Sequence, residues 1–288
     1  MRIKGRLKGY ASLLLLASLS AGLQSCGGES STGPEPDPAA LASWEIVSGP
    51  RHLTSIWSAG PGNIFASGRG GVILHYDGAA WSTMETPVTL DVNDIWGLSA
   101  GEAYAACDEG VVLVWDGTLW EVSQTSTTLD LLAIWGGSGS DIHAVGEQGT
   151  IVHYDGAAWA TRPTGVPDDL HAVWGPSSSE IYAVGDYGQV LRYDGVSWTE
   201  IEGGGLRMFR TIWGDGDGTL ILAGLYGEMA YLDGSLFEYI ETGTEEDITS
   251  IDGLAAGDLL LSCGHGQVLH FDGTACTPMN VVTDKTLH

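Results

Sequence analysis

A spacing of 39 residues recurs six times along this chain, with no insertion between the positions that define it. One such position is a tryptophan that becomes aspartate in the last copy: Trp57, Trp96, Trp135, Trp174, Trp213 and Asp252. Another is an Asp-Gly pair, whose aspartates are Asp77, Asp116, Asp155, Asp194, Asp233 and Asp272. Repeats of this length fold as units that stack on their neighbours, so the chain is restricted to a solenoid or a propeller.

Each copy contains four short strands, which we name a to d in chain order. In the third copy, residues 131–159, β-branched and aromatic runs alternate with Gly-containing turns, and no run is long enough for an ordinary helix. We expect one glycine per copy to supply a positive φ between strands b and c: Gly71, Gly110, Gly149, Gly188, Gly227 and Gly266. The sequence predicts an all-β fold, a six-bladed β-propeller with four antiparallel strands per blade and a 39-residue repeat.

Two columns of strand a carry the expected packing. A column of small or short residues is expected where inner strands crowd round an axis, and it reads Ser55, Asp94, Ala133, Ala172, Thr211 and Ser250. The tryptophan column is expected to fill the gap between neighbouring sheets.

Ring closure is expected to use the N-terminal side of the repeats. Residues 44–47 precede the first full copy and match a strand d. The last copy has Cys276 where strand d normally opens with tryptophan, and Pro278 lacks an N–H for the strand ladder. We therefore expect residues 44–47 to pair with strand c of blade 6, Val268–Phe271, and so to join the first and last blades.

The N-terminus differs from the repeats. A basic start precedes a short apolar core at residues 11–22, and Leu-Gln-Ser-Cys follows and ends at Cys26. This resembles a bacterial lipoprotein signal, which implies cleavage before Cys26 and a lipid on its thiol; the alternative is an ordinary secretory signal. Gly27, rather than aspartate, follows the cysteine. By resemblance to enterobacterial lipoproteins, this implies the outer membrane rather than retention in the inner membrane. We expect a signal peptide at 1–25, the lipidated cysteine and a tether at 26–43, and the propeller domain at 44–288.

Charge limits the partners. Without residues 1–25 the chain keeps seven Lys and Arg against 37 Asp and Glu, a net charge of −30. We therefore expect no nucleic acid partner, and membrane contact only through the lipid anchor. The expected partner is a protein or a neutral or cationic glycan, bound by a monomer. Cys107, Cys263 and Cys276 have no disulfide or metal-ligand spacing, and we expect no bond among them.

The turn between strands c and d carries a resemblance. Its Asp-Gly-x-x-Trp pattern resembles the Asp-box of sialidase-type propellers, which implies that the Asp caps a turn and the Trp packs beside it. The pattern departs from that motif, which has one more residue between Asp and Gly and a Ser or Thr two before the Asp. The span 53–282 is also similar to photosystem II assembly-factor-like propellers and to repeat lipoproteins of myxobacteria. The resemblance bears on fold, because propellers host many functions.

Most polar columns indicate structure rather than catalysis. The six turn aspartates recur in every copy, and a capping Asp needs only nearby backbone N–H groups. His75, His153 and His270 share a column of strand c, but they belong to blades 1, 3 and 6, so we interpret them as exposed strand residues rather than joint metal ligands.

Two further patterns are incomplete. Residues 215–219, Asp-Gly-Asp-Gly-Thr, resemble part of a calcium loop but lack its third oxygen position and distal Glu, which favours an ordinary a–b turn. A sialidase needs three arginines around a pocket with a Tyr–Glu pair, and Arg51, Arg207 and Arg210 lie only at blades 1 and 5. We predict no catalytic residues, no enzyme activity and no cofactor, with a cation such as calcium left as the exception.

The more varied face is the expected working surface. In a propeller the b–c turns and d–a connections share one face, which we call the tip face. The c–d turns of the opposite face are nearly uniform here, whereas the tips differ between blades. The candidate tip residues are Glu109, Gln148, Tyr187, Tyr226 and His265. Four strands a begin after an aspartate that we expect round the channel mouth as a candidate metal ligand: Asp91, Asp130, Asp169 and Asp247.

The sequence thus predicts a lipid-anchored, non-enzymatic binding or assembly module of the bacterial envelope, and the resemblance of its signal implies the outer membrane. Two alternatives stay open: a carbohydrate-active enzyme or lectin that uses the aromatic tips, and a structural spacer without a specific ligand.

Overall fold

The computed structural model describes residues 52–279 in full, and by backbone alone the strands β1 (Leu15–Ala17) and β2 (Trp44–Ile46). Residues 52–279 form six four-stranded antiparallel sheets, one after another along the chain. In each sheet the strands lie in the order a-b-c-d, and strand a is the inner strand because it packs on strand a of the next blade. The predicted six-bladed propeller is confirmed.

The strand bounds follow the repeat. Strands a are β3 (Leu53–Gly60), β7 (Val92–Ser99), β11 (Leu131–Ser138), β15 (Leu170–Ser177), β19 (Phe209–Gly214) and β23 (Ile248–Ala255). Strands b are β4 (Asn63–Gly68), β8 (Glu102–Cys107), β12 (Asp141–Gly146), β16 (Glu180–Gly185), β20 (Leu220–Gly224) and β24 (Asp258–Cys263). Strands c are β5 (Ile73–Tyr76), β9 (Val111–Trp115), β13 (Ile151–Tyr154), β17 (Val190–Tyr193), β21 (Met229–Asp233) and β25 (Val268–Phe271). Strands d are β6 (Trp81–Met84), β10 (Trp120–Gln124), β14 (Trp159–Thr161), β18 (Trp198–Glu200), β22 (Leu236–Ile240) and β26 (Cys276–Pro278).

The core lies between blades rather than inside one sheet. The tryptophan column is buried or half-buried, and the rings of Trp57, Trp96 and Trp174 lie over glycines of the next blade. A Cβ placed on Gly97 would lie 2.8 Å from the Trp57 ring, and one on Gly214 would lie 2.4 Å from the Trp174 ring. This contact between an indole and a glycine, which we call the wedge, therefore needs both the tryptophan and a residue without a side chain opposite it. It confirms the predicted role of this column.

One buried carboxylate links three blades. Asp94 of blade 2 has no exposed surface; its Oδ1 accepts a hydrogen bond from Ser55 Oγ of blade 1 at 2.7 Å. Its Oδ2 accepts one from the backbone N–H of Ile134 in blade 3 at 2.9 Å. The small column is thus buried as expected, and at Asp94 it also carries the hydrogen bonds that hold neighbouring inner strands together.

Ring closure differs from the expectation. Strand β26 supplies strand d of blade 6, and β2 pairs with β1, so the prediction that residues 44–47 pair with β25 is wrong. The reason is the phase of the ladder. Asp272 N–H donates to Ala275 O and Met279 N–H donates to Val268 O, so Pro278 lies at a non-hydrogen-bonded pair opposite Leu269. Its missing N–H costs the ladder nothing.

The junction between blades 6 and 1 is unlike the others. Within residues 52–279, the close packing of one strand a on the next does not recur between β23 and β3. Asp252 occupies the tryptophan position in blade 6, and Ser58 occupies the glycine position in blade 1. Ile56 is half-buried here, although its counterparts in the other five blades are buried. Both halves of the wedge are therefore missing at one junction.

Two further features are the state of the cysteines and the length of the helices. Cys107, Cys263 and Cys276 are free thiols, as predicted. In the part of the chain that the structure describes, no helix is long and apolar enough to cross a bilayer.

Candidate functional site: the tip face

The b–c tips share an unusual backbone. Each is a 3-10 turn whose last residue is the predicted glycine, and all six glycines have positive φ, from 67° to 77°. The residue before that glycine also has positive φ in every blade. Only blade 1 places glycine there, Gly70, whereas the other five are Glu109 (57°), Gln148 (52°), Tyr187 (53°), Tyr226 (59°) and His265 (54°). Non-glycine residues pay strain in this region of φ, so these five side chains are held where glycine would be easier.

The four predicted aspartates position these tips. Each accepts a hydrogen bond through Oδ1 from the N–H of the tip in the preceding blade: Gly70 to Asp91 at 2.8 Å, Glu109 to Asp130 at 2.8 Å, Gln148 to Asp169 at 2.9 Å and Tyr226 to Asp247 at 3.0 Å. These contacts confirm that tips and d–a connections share one face. They also give the aspartates a positioning role, from the start of one blade to the tip of the one before it.

The aspartates are not gathered as a ligand set. Within residues 52–279, only two groups of three potential metal ligands lie within 4.8 Å of one another. Asp169 belongs to one of them, with His171 and Asp186, and the other three aspartates to neither. Asp186 also contacts Arg210 Nη1 at 3.0 Å, and burial raises its pKa. A guanidinium beside the carboxylate is a poor neighbour for a bound cation.

The second group is a hydrogen-bond network on blade 3. Asp141 Oδ1 accepts from His143 Nε2 at 3.2 Å and from His153 Nε2 at 2.7 Å, while Arg162 Nη2 donates to His153 Nδ1 at 2.8 Å. Burial opposes ionisation, but the histidine hydrogen bonds hold the pKa of Asp141 well below its usual range. Burial lowers the pKa of His143. The two Nε2 atoms that face Asp141 are therefore engaged, whereas His143 Nδ1 is buried without a hydrogen-bond partner among residues 52–279.

The strand-c histidines are half-buried rather than exposed, which corrects that expectation. His75 Nε2 lies 3.1 Å from Asn63 Oδ1 and His270 Nε2 lies 2.9 Å from Asp258 Oδ1, as His153 pairs with Asp141. In blade 4 the same two positions hold Arg192 and Glu180, 2.9 Å apart. The column is a cross-strand pair that ties strand c to strand b.

The opposite face is built from capped c–d turns. Asp155 Oδ1 accepts from the N–H groups of Ala157 and Ala158 at 2.9 Å, and these bonds lower its pKa. The same cap forms at Asp77, Asp116, Asp194 and Asp272. Among residues 52–279, Asp233 makes no such bond, so the expectation of six caps holds for five. In blade 5, β21 and β22 continue to the paired residues Asp233 and Leu236, which leaves a two-residue turn.

Residues 215–219 form an ordinary turn, as expected. Asp215 Oδ1 accepts from the N–H groups of Asp217 at 2.8 Å and Thr219 at 3.1 Å. Of the three arginines considered for a sialidase site, Arg51 lies outside the described residues, Arg210 pairs with Asp186, and Arg207 pairs with Glu228.

Blade 5 is where the tip face is most exposed and most irregular. Met208 replaces the aspartate that would hold the tip of Tyr187, and the N–H of Gly188 instead donates to the carbonyl of Arg207. The loop before β19 therefore lies against the tip of blade 4. Exposed large side chains collect around it: Tyr187 (54%), Leu206 (86%), Tyr226 (72%) and Tyr239 (43%).

A groove runs along this sector, which we call the blade 5 groove. It encloses about 380 Å³, and its lining includes Arg207, Tyr226, Glu228, Tyr239, Glu241 and Glu245. The Arg207 guanidinium lies 3.8 Å over the centre of the Tyr239 ring and 2.7 Å from Glu228 Oε1. Sequence reasoning named Tyr226 and Arg207 but missed Glu228 and Tyr239. The available signal was Phe237 in the tryptophan position of strand d, which marks blade 5 as the departing copy.

Comparison with known proteins identifies the fold. No family model and no curated protein matches the chain. Among solved structures, the WD40 β-propeller domain of Doa1 is 13% identical, with a TM-score of 0.72 over 92% of this chain and 88% of that one. YCF48 from Cyanidioschyzon merolae is 16% identical, with a TM-score of 0.68 over 85% and 90%. YCF48 bound to D1 peptide is 11% identical, with a TM-score of 0.64 over 96% and 84%. These TM-scores show a shared propeller fold.

Proposed function

We propose that this chain is an exported, lipid-anchored binding module of the bacterial envelope, without catalytic activity, that captures a protein partner on its tip face. The observation that carries the proposal is the pair of exposed tyrosines Tyr187 and Tyr226, held at positive φ on adjacent blades. Backbone strain kept at exposed positions is typical of functional sites, and tyrosine is enriched at the energetic centres of protein interfaces.

The comparisons support this choice of partner class. One solved propeller of the same fold is YCF48 bound to D1 peptide, so a peptide ligand is compatible with the architecture. Asp247 holds the tip of Tyr226, and the Arg207 carbonyl accepts from Gly188 beside Tyr187; both contacts favour a rigid surface, which loses little freedom when a partner binds.

The test replaces both tyrosines by glycine. Because glycine adopts positive φ at no steric cost, the Tyr187→Gly, Tyr226→Gly protein should melt at the same or a higher temperature than the wild type, yet lose its partner. Retention of envelope proteins by the immobilised 27–288 fragment, identified by mass spectrometry, is the measurement. The matched control is Glu109→Gly with Gln148→Gly, which makes the same backbone change on blades 2 and 3 and should retain the partner. Equal retention by both variants would mean either that the partner binds elsewhere on the domain or that the chain is a structural spacer without a specific ligand.

A second candidate is glycan binding, because exposed tyrosine rings also suit the faces of sugars. A glycan array with the same two variants separates the candidates: a lectin would bind defined glycans and lose them with the tyrosines, and a protein-binding module would show no glycan signal.

The anchor has its own test. Cys26→Ser should shift the protein from the detergent phase to the aqueous phase of a Triton X-114 extraction, or leave an unprocessed precursor. Wild-type protein in the aqueous phase would remove lipidation from the proposal without affecting the tip face.

A further inference from the structure

The blade 5 groove differs from the rest of the tip face in its chemistry. Its volume of about 380 Å³ is at the low end of ligand pockets, which run from about 300 to 1,000 Å³, so it has room for one or two side chains rather than a folded domain. Two aromatic rings, Tyr226 and Tyr239, contribute to its lining, and both are exposed.

The groove already holds one cation of its own chain. Arg207 stacks on Tyr239 at 3.8 Å and its Nη1 lies 2.7 Å from Glu228 Oε1. A guanidinium between an aromatic face and a carboxylate is attracted by both, and the pair is only partly exposed, at 35% and 25% of the two side chains. The lining is therefore suited to a flat cation.

Acidic groups remain after this pair is counted. Glu241 and Glu245 line the same groove, are exposed, and have no ion-pair partner within residues 52–279. Tyr226 offers a second ring that Arg207 does not cover in the described contacts, with 72% of its surface exposed. A ring and two carboxylates, the same kinds of group that Tyr239 and Glu228 present to Arg207, thus line the groove in addition to that pair.

Blade 5 is also the copy whose strand d and c–d turn depart from the repeat. Phe237 replaces tryptophan, the c–d turn loses its aspartate cap, and β22 is extended to five residues, with Tyr239 near its end. Strands d of blades 3, 4 and 6 have three residues and that of blade 1 has four, whereas β10 of blade 2 has five, as β22 has. Blade 5 therefore has one of the two longest strands d, and Tyr239 of this strand lines the groove.

We propose that the blade 5 groove binds an extended, unstructured segment of a partner protein through an arginine or lysine side chain, which stacks on Tyr226 and pairs with Glu241 and Glu245. The inference rests on the proposed function and names the chemistry of the segment that the tip face captures. An acidic segment is excluded by the same carboxylates, and charge complementarity with a chain of net charge −26 favours encounter with a basic one.

The experiment uses two fluorescein-labelled Gly-Ser peptides of nine residues that differ only in three positions, arginine in one and citrulline in the other. Citrulline keeps the shape of the side chain and removes its charge. Fluorescence anisotropy is measured at about 0.15 M salt, where attraction beyond about 8 Å is screened. The arginine peptide should bind about tenfold or more tightly than the citrulline peptide, a change of about 1.4 kcal/mol.

Variants separate the groove from the acidic surface as a whole. Glu241→Gln with Glu245→Gln should abolish the preference for arginine. The control, Glu121→Gln with Glu200→Gln, removes the same charge from exposed positions of strands d in blades 2 and 4 and should leave the preference intact. Tyr226→Gly should weaken the arginine peptide, whereas Tyr187→Gly, outside the groove, should not.

Three results would overturn the inference: no preference for arginine over citrulline, an equal loss in both glutamine variants, or tighter binding of a peptide with glutamate at the three positions. Each is distinguishable from failure of the proposed function, because partner retention and its loss in the Tyr187→Gly, Tyr226→Gly protein are measured independently. Retention that depends on the tyrosines, together with no binding of the arginine peptide, leaves the function standing and removes the basic segment.

Discussion

Single residues decide how the inner strands of this propeller are joined. The column that contains Asp94 consists otherwise of Ser, Ala and Thr, and sequence alone predicts a small group there. The aspartate fits because both its oxygens find donors on other blades, Ser55 Oγ and the Ile134 N–H. A buried carboxylate is tolerated only with such partners, and its loss leaves those donors unsatisfied.

Asp94→Ala should therefore lower the free energy of unfolding by about 2–4 kcal/mol. Thr211→Ala is the matched control in the same column: Thr211 Oγ1 accepts one hydrogen bond, from the Ile251 N–H at 3.3 Å, and its loss should cost about 1 kcal/mol. Urea denaturation followed by tryptophan fluorescence measures both. A cost for Asp94→Ala no larger than for Thr211→Ala would mean that the three-blade link adds nothing to a simple hydrogen bond.

The tip residues show the limit of sequence reasoning at this scale. The following glycine could be assigned a positive φ because glycine favours it, and it has one in all six blades. Glu109, Gln148, Tyr187, Tyr226 and His265 carry no such signal, since their residue types do not prefer that region. Only Gly70 in the same column hints at it. The strain that singles out these positions became visible only with the backbone.

At the scale of elements, the repeat predicts the four strands of every blade but not the phase of hydrogen bonds within a strand. That is why Pro278 was an incorrect argument against β26: whether a missing N–H matters depends on which of two alternating positions the proline takes. The c–d turn of blade 5 was mispredicted for a related reason. Asp233 keeps the sequence pattern, but the backbone of its turn differs: Gly234 has a φ of 60°, whereas the glycine of each capped turn has a φ of 91° to 95°.

We expect the capped c–d turn at Asp155 and the uncapped c–d turn at Asp233 to respond differently to the same substitution. Asp155→Ala removes a carboxylate that accepts two backbone N–H groups, so the melting temperature should fall measurably. Asp233→Ala removes the same group from a turn that does not use it, and the melting temperature should stay unchanged. Lowering the pH should diminish the difference, because hydrogen bonds lower the pKa of Asp155 in the folded state and their contribution is lost as pH falls through that value. Equal effects of the two substitutions at neutral pH would contradict the assignment.

For the whole molecule, the decisive feature is where the six-fold regularity fails. Five blades keep the tryptophan, and the rings of Trp57, Trp96 and Trp174 lie over a glycine of the next blade. The junction from blade 6 to blade 1 has Asp252 and Ser58 at these two positions instead. The inner strands β23 and β3 do not approach there as the others do. Both residues are visible in the sequence, but the predicted closure depended on residues 44–47 as strand d of blade 6, and β2 pairs with β1 instead. We expect this junction to be the first part of the ring to open.

Asp252 adds a dependence on pH. Burial raises its pKa to about 7, above the value of about 3.9 for a free aspartate. The folded state therefore binds this proton more tightly than the unfolded state, and the stabilisation present below about pH 4 is lost as pH rises towards 7. Asp252→Asn removes the titration and should flatten this part of the stability profile, so it serves as the charge-free reference for rebuilding the junction.

Restoring both halves of the wedge should close the ring more firmly than either half alone. Asp252→Trp by itself sets an indole against Ser58, whose Cβ takes the place that glycine leaves free beneath Trp57 and Trp174. Ser58→Gly by itself loses the two turn hydrogen bonds between the Ser58 hydroxyl and Gly60. Together they reproduce the contact, so thermal unfolding at pH 8, with Asp252→Asn as the reference, should show a favourable coupling of about 1–2 kcal/mol between the sites. Hydrogen exchange in β3 and β23 should slow at the same time. Additive effects would show that the blades are too far apart at this junction for a tryptophan to bridge, and that the gap is set by the backbone of the ring rather than by these two side chains.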